Sequence, residues 1–98
     1  MRIVWLASAR NDLNSIVDYH TTAASKEVAT RLVKHIAHSA TALVDNPHLG
    51  KPSESVNGIH ELHVPRLPYL LPYRVNDDRV EILRVFHEAQ DRPSTWQV

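Results

Sequence analysis

The sequence contains no cysteine, and this absence excludes disulfides, thiolate nucleophiles and zinc–thiolate sites. A chain without disulfides suits the reducing cytoplasm, where we expect this protein to act. No apolar run approaches the roughly 20 residues that a membrane-spanning helix needs, so we expect no membrane association. Arg10 and Asp12 follow closely on the apolar start, which makes that start too short for a signal peptide.

An excess of charge of one sign is also lacking, because 11 Lys and Arg balance 11 Asp and Glu. Proteins that bind nucleic acid unaided usually carry a basic excess, since neutralised phosphates supply most of the affinity. We therefore expect no autonomous nucleic-acid binding, and the balance favours a protein target over RNA. The 98 residues, 43% of them hydrophobic, suffice for a single domain spanning residues 1–98.

Two amphipathic helices are predicted in the first half of the chain. The apolar face of the first, at spacings of three and four, is formed by Ala9, Leu13, Ile16, Val17 and His20. Ser25 is placed to cap a second helix. The apolar stripe of that helix is formed by Val28, Ala29, Leu32, Ile36, Ala40 and Leu43. The linking residues 21–24 are few, so the helices should form an antiparallel hairpin.

Strands are predicted on both sides of the helices. One precedes them, and the others follow an irregular loop, so that the strands cover residues 2–6, 59–64, 69–75 and 79–87. Residues 76–78, Asn-Asp-Asp, form a turn between the last two. The predicted class is α+β, a small antiparallel sheet with an N-terminal αα-hairpin packed on one face. Residues 88–98 follow as a C-terminal tail.

The register of the last two strands determines which side chains share a face. If Val75 pairs with Val80, then Arg74 faces Glu81. The face expected to meet the helices then holds Tyr69, Leu71, Tyr73, Val75, Val80, Ile82 and Phe86, with Arg84 as its exception. The face expected to be open holds Leu70, Pro72, Arg74, Glu81, Leu83, Val85 and His87. Pro72 cannot donate to a ladder, so its strand should be an edge or bulged there.

Several motifs follow one another along nearly the whole chain. They are Trp5, Ala9-x-x-Asp12-Leu13-x-x-Ile16-x-x-Tyr19, Pro47-x-x-Gly50-Lys51-Pro52, Gly58-Ile59-x-Glu61-Leu62, Pro68-Tyr69-x-x-x-Tyr73-Arg74-Val75 and Val80-x-Ile82-Leu83-x-Val85-x-His87. Together they resemble the ParE branch of the RelE/ParE toxin superfamily over residues 3–96. The resemblance implies the fold assembled above. It also implies a bacterial type II toxin, with the associated growth arrest and plasmid stabilisation, held inactive by a co-encoded antitoxin.

The resemblance implies one of two activities. ParE-like members resemble inhibitors of DNA gyrase that act by binding, and this is the favoured interpretation, with no enzymatic activity. RelE-like members resemble ribosome-dependent endoribonucleases. In the YoeB-type subgroup a loop Glu, a strand Arg and a C-terminal His serve that chemistry. The residues that match them here are Glu54, Arg74 and His87. The match is partial, because Glu88 replaces the aromatic residue that follows the His in that subgroup. A degenerate, non-toxic member that only binds the antitoxin is a third interpretation.

Each candidate residue also has a plainer role. Arg74 opposite Glu81 is typical of a structural cross-strand pair, His87 of a packed histidine and Glu54 of a solvated loop side chain. No metal site is expected, because His60 and His63 should point to opposite strand faces, and no cofactor is implied.

Binding surfaces are expected at three places. For gyrase, the candidate anchors are Arg84, Arg92 and Trp96, although Trp96 could instead fold back onto the core. For the antitoxin, we expect a groove along the helical hairpin to accept an amphipathic helix. A following strand of the antitoxin should then join a free sheet edge.

Overall fold

The computed structural model describes residues 1–90. Its elements, in chain order, are β1 (Arg2–Trp5), α1 (Ala7–Ala23), α2 (Lys26–Ala40), a 3₁₀ turn (Thr41–Leu43), β2 (Lys51–Pro52), β3 (His60–His63), β4 (Tyr69–Asn76), β5 (Arg79–Ile82) and β6 (Phe86–His87). This is the predicted α+β class. Neither helix in this range is long and apolar enough to cross a membrane.

The helical hairpin forms as predicted, with a shorter link at residues 24 and 25. Ser25 is the N-cap of α2, and its Oγ accepts a hydrogen bond of 3.1 Å from the Val28 backbone N–H. Glu27 lies in the first turn of α2, where the helix dipole favours an anion. The 3₁₀ turn then closes the helix at Leu43, four residues before Pro47.

The strands lie in the order β1-β5-β4-β3-β2, and β6 pairs with β4 beyond the end of β5. All pairs are antiparallel except β1 with β5, which are parallel. The predicted register is confirmed, since Val75 pairs with Val80 and Arg74 with Glu81. The two-residue strand β2 was not predicted and lies in the loop before β3.

One face of the sheet packs against the helical hairpin. Buried side chains of β4 and β5 (Tyr69, Leu71, Tyr73, Val80 and Ile82) meet Ala9, Ile36, Ala40 and Leu43 there. Tyr73 Oη donates to the Pro47 carbonyl and accepts from the Gly50 N–H, each at 2.8 Å. A Cβ at Gly50 would lie 2.6 Å from the Tyr73 ring, so this close approach requires glycine.

The prediction of one continuous strand over residues 79–87 was wrong, because this segment is divided into β5 and β6. Ile82 pairs with Tyr73 and Phe86 with Leu70. Between these two pairs, three residues (83–85) lie on this strand and two (71 and 72) lie on β4. The extra residue makes residues 83–85 a β-bulge. Pro72 lies opposite the bulge, and its carbonyl accepts from the Leu83 N–H at 2.8 Å. Because proline has no N–H to return, the ladder breaks here. The prediction that the strand of Pro72 is an edge or itself bulged was wrong, since β4 is a central strand and the extra residue lies in the strand opposite it.

The bulge exchanges the faces of the residues after it. Val85 joins the core beside the helices, whereas Phe86 packs with Ile59, Leu70 and Leu83 on the opposite face. The predicted faces of Val85, Phe86 and His87 were therefore wrong, because strict alternation assumes no inserted residue. The prediction that the second face is open was also wrong. Its buried members include Leu70, Pro72, Glu81 and Leu83.

Asp12 of α1 holds the bulge. Its Oδ2 accepts from Arg84 Nε at 2.7 Å and from the Val85 backbone N–H at 2.9 Å, and its Oδ1 accepts from Arg84 Nη2 at 3.0 Å. Hydrogen bonding to Asp12 raises the pKa of the Arg84 guanidinium. One carboxylate thus joins the first helix to the sheet, and it satisfies a backbone donor that the ladder has left free.

Replacing Asp12 with alanine should lower the free energy of unfolding by about 2–3 kcal/mol, because it leaves Arg84 and the Val85 N–H without their acceptor. Urea unfolding measures this change. Asp18→Ala is the matched control, because Asp18 is exposed on the same helix. That control should stay within about 0.5 kcal/mol of the unsubstituted chain. Equal losses in the two variants would contradict the role assigned to Asp12.

Candidate functional site

Arg74 is bound to the strand opposite it. Its Nε lies 2.6 Å from Glu81 Oε1, and the two residues are register partners in β4 and β5. The Arg74 side chain is 43% exposed, whereas that of Glu81 is 7% exposed. The cross-strand pairing expected of Arg74 is therefore present in the structure.

His87 lies at the other end of β4, where it pairs with Tyr69. Its ring meets the Tyr69 ring edge-on, with 5.4 Å between centroids, and its Nδ1 accepts from the Ala89 N–H at 3.1 Å. Five positions of β4 separate Tyr69 from Arg74, which corresponds to about 17 Å along the strand. Odd and even positions also face opposite sides, so His87 and Arg74 lie on different faces of the sheet.

Glu54, the third residue of the nuclease alternative, lies in the loop between β2 and β3. Its side chain is 88% exposed and lies 3.7 Å from Lys51 Nζ. The structure therefore does not bring Glu54, Arg74 and His87 together. Arg74 is instead paired with Glu81.

Glu81 is the centre of an ion-pair network, of which the sequence predicted only the pair with Arg74. Its Oε2 lies 3.1 Å from Arg79 Nη2, in addition to the contact with Arg74. The hydrogen bond from Arg74 is the largest cause that lowers the pKa of this carboxyl. The charges of Arg74 and Arg79 and a hydrogen bond from Asn76 lower it further, against the opposing effect of burial. The ion pair with Arg79 was not predicted. The alternation of side chains along a strand, which places Arg79 and Glu81 on the same face, could have indicated it.

The candidate gyrase anchors fall in two parts of the chain. Arg84 is bound to Asp12 and keeps 34% of its side chain exposed. Arg92 and Trp96 lie outside residues 1–90. The start of the tail is held in place, because Glu88 Oε2 lies 2.9 Å from His63 Nε2 and the Glu88 N–H donates to the Pro68 carbonyl at 2.9 Å.

A cleft of about 720 Å³ lies between the end of α2 and the β2–β3 edge. Its lining includes apolar Ala42, Leu49 and Leu62 and charged Asp45 and Lys51. Leu49 is 49% exposed. Among residues 1–90, no three His, Asp or Glu side chains are grouped so that they could hold a metal ion.

The two sheet edges differ in what they offer a partner. The Arg2 N–H donates to Asp78 and the Leu6 N–H donates to Ile82, so the amides of even-numbered β1 residues face β5. Alternation then directs the N–H groups of Ile3 and Trp5 outward. The other edge, β2, has two residues, and Pro52 cannot donate. The β1 edge is therefore the better template for an added strand.

The chain is similar along nearly its whole length to a toxin family model, a curated protein and a solved structure. The family model "ParE toxin of type II toxin-antitoxin system, parDE" matches residues 3–92. A protein of Sinorhizobium fredii (strain NBRC 101917 / NGR234) described as "Putative toxin Y4kP" is 35% identical over 92 residues, which cover 94% of this chain and 93% of that protein. The solved structure "Chromosomal ParDE TA system from P. aeruginosa" matches with a TM-score of 0.80 and 32% identity, over 89% of this chain and 95% of that one.

The Glu81 network should make stability depend on pH. The folded state lowers the pKa of Glu81 from a usual value of 4.5, so its stabilising contribution is complete above that pH. The contribution is lost as the pH falls from 4.5 through the lowered folded-state pKa. The difference in unfolding free energy between the unsubstituted chain and Glu81→Gln should therefore shrink on acidification below 4.5.

Urea unfolding at a series of pH values measures this difference. Glu54→Gln is the matched control, because the Glu54 side chain is 88% exposed, and it should change the free energy little at every pH. A Glu81→Gln difference that stays constant through the acid range would show that the network does not stabilise the ionised carboxylate.

Proposed function

The chain belongs to the ParE toxin family of type II toxin–antitoxin systems, and on that premise we propose that it inhibits DNA gyrase by binding it. It acts in the bacterial cytoplasm, arrests growth and is neutralised by a co-encoded antitoxin, an arrangement that stabilises plasmids which carry such a pair. The observation that carries the proposal is the match to the ParE family model over residues 3–92, almost the whole chain.

The geometry of the sheet supports binding over hydrolysis. Ribonuclease chemistry needs a base, an acid and a cation within reach of one phosphate. Arg74 is bound to Glu81 on one face, whereas His87 lies on the other face at the far end of β4. Glu54 is exposed in a loop. An inhibitor that binds its target needs no such convergence.

We place the target-binding surface at the tail, residues 88–98. The hydrogen bonds of Glu88 to His63 and Pro68 hold the start of this segment against β3 and the residue that precedes β4. Arg92 and Trp96 follow, and Arg and Trp are the residue types that most often anchor protein interfaces. Arg84 contributes to the same target-binding surface through its side chain, which is 34% exposed. Its guanidinium is already oriented by Asp12, which lowers the entropy lost on binding.

We place the antitoxin on the helical hairpin and the β1 edge. Several apolar side chains of the hairpin are only half-buried: Val17, Val28, Val33 and Ala37. An amphipathic helix of the antitoxin would cover such side chains. A following strand would pair with the outward N–H groups of Ile3 and Trp5, since β-strand addition supplies main-chain hydrogen bonds.

Replacing Trp96 with alanine should raise the concentration needed to inhibit gyrase about 30-fold, the effect of losing a 2 kcal/mol anchor. Gyrase supercoiling of relaxed plasmid DNA measures the inhibition. Gln97→Ala is the matched control in the same segment and should inhibit as the unsubstituted chain does. Urea unfolding is measured in parallel, because a Trp96 that packs on the core would show a loss of stability instead.

The same samples are added to a reconstituted translation reaction. The proposal expects inhibited supercoiling and intact mRNA. Cleaved mRNA with normal supercoiling, abolished by His87→Ala, would replace the proposal with the endoribonuclease alternative. A chain that affects neither reaction yet binds its antitoxin would be the non-toxic member.

Hydrogen exchange tests the placement of the antitoxin strand. The amides of Ile3 and Trp5 should exchange fast in the free chain and become protected in the complex with the co-encoded antitoxin. The Val4 amide faces β5 and is the internal control, protected in both states. Unchanged exchange at Ile3 and Trp5 in a fully formed complex would contradict strand addition at β1.

A further inference from the structure

Three arginines lie together at one end of the sheet, on the face opposite the helices. Arg2 and Arg79 are register partners in β1 and β5, and Arg74 is the partner of Glu81 in β4 and β5. Val80 and Ile82 of β5 point into the core beside the helices, so Arg79 and Glu81 point to the other side. We call Arg2, Arg74 and Arg79 the arginine cluster.

The arginine cluster has fewer carboxylates than guanidinium groups. Within residues 1–90, Glu81 is the one carboxylate within 4.0 Å of any of the three guanidinium groups, and it contacts Arg74 and Arg79. Asp77 and Asp78 lie in the adjoining turn, where both are exposed and beyond that distance. Arg2 is exposed and next to Arg79, an arrangement of like charges that destabilises neighbouring strands.

One donor of the arginine cluster is buried and unused. The Nε of Arg79 has no hydrogen-bond partner in the described part of the chain, although Nη2 of the same group contacts Glu81. A buried donor without an acceptor is costly. The Arg79 side chain as a whole is 35% exposed, and an anion bound between its exposed part and Arg2 would offset the repulsion of the two like charges.

We propose that the arginine cluster binds a phosphate group. The guanidinium fork matches the oxygens of phosphate and can bind two of them at once. Glu81 orients the site, because its two oxygens hold Arg74 and Arg79 from below the exposed surface. The cluster is distinct from the tail and from the β1 edge amides, so it does not depend on gyrase being the target.

The phosphate can belong to a small anion or to the backbone of a nucleic acid. A single phosphate site gives only weak binding, which agrees with the balanced charge of the chain. A nucleic-acid strand would therefore occupy the site when another contact already holds it near the toxin. Both sources share the same chemistry at the arginine cluster.

The test is a titration of the full chain, labelled with ¹⁵N, followed by the Nε–Hε resonances of its arginines in NMR spectra. Inorganic phosphate should shift the Arg79 and Arg2 resonances saturably, with a dissociation constant of about 1–10 mM. Sodium chloride at matched ionic strength should not. Arg79→Gln and Arg2→Gln should each weaken binding about tenfold, the effect of losing one charged hydrogen bond.

Arg10→Gln is the matched control, because Arg10 is exposed on α1, on the helical side of the sheet. It should bind phosphate as the unsubstituted chain does. A short single-stranded oligonucleotide is titrated separately. If it shifts the same resonances and competes with phosphate, the source is a nucleic-acid backbone, whereas shifts with phosphate alone indicate a small anion. Shifts that do not saturate, that chloride reproduces, or that persist unchanged in Arg2→Gln would overturn the proposal.

Discussion

The carboxylate of Asp12 determines how the second half of the sheet is arranged. Its two oxygens accept hydrogen bonds from Arg84, and one of them also accepts from the Val85 N–H, which the interrupted ladder has left without a strand partner. With that donor satisfied, the bulge at residues 83–85 carries no orphaned amide at this position. Val85 can then enter the core and Phe86 the second cluster. The first helix and the last strands are thereby joined by three hydrogen bonds to one carboxylate, in addition to apolar packing.

The functional consequence is a separation of the residues that chemistry would need. Because the bulge shifts the alternation by one position, His87 faces the helical side beside Tyr69, and Arg74 stays on the opposite side with Glu81. The described surface instead has features suited to partners: an open β1 edge, a cleft beside α2 and a tail held at Glu88 by His63. This arrangement supports the proposal that the chain acts by binding, with a different part of the surface for each partner.

Local patterns in the sequence predicted the elements and the main register. Apolar residues at helical spacing, such as Leu13 and Ile16 in α1 and Ile36 in α2, predicted the helices. The pairing of Val75 with Val80 followed from the short turn between them. The bulge could not be located in the same way. Pro72 indicated an edge or a bulge, but its missing donor does not say which strand carries the extra residue. Asp12, which holds that residue, is 73 positions from Val85, and no local period connects them.

The central claim is that this toxin works by stoichiometric binding and not by turnover. Gyrase is held well above the dissociation constant of the complex, and the toxin is titrated while supercoiling is measured at several times. Binding predicts that inhibition rises linearly with the molar ratio, reaches a sharp end point at a fixed ratio of toxin to gyrase and does not progress with time. Inhibition that advances with time at a small fraction of that ratio would mean catalysis and would contradict the account.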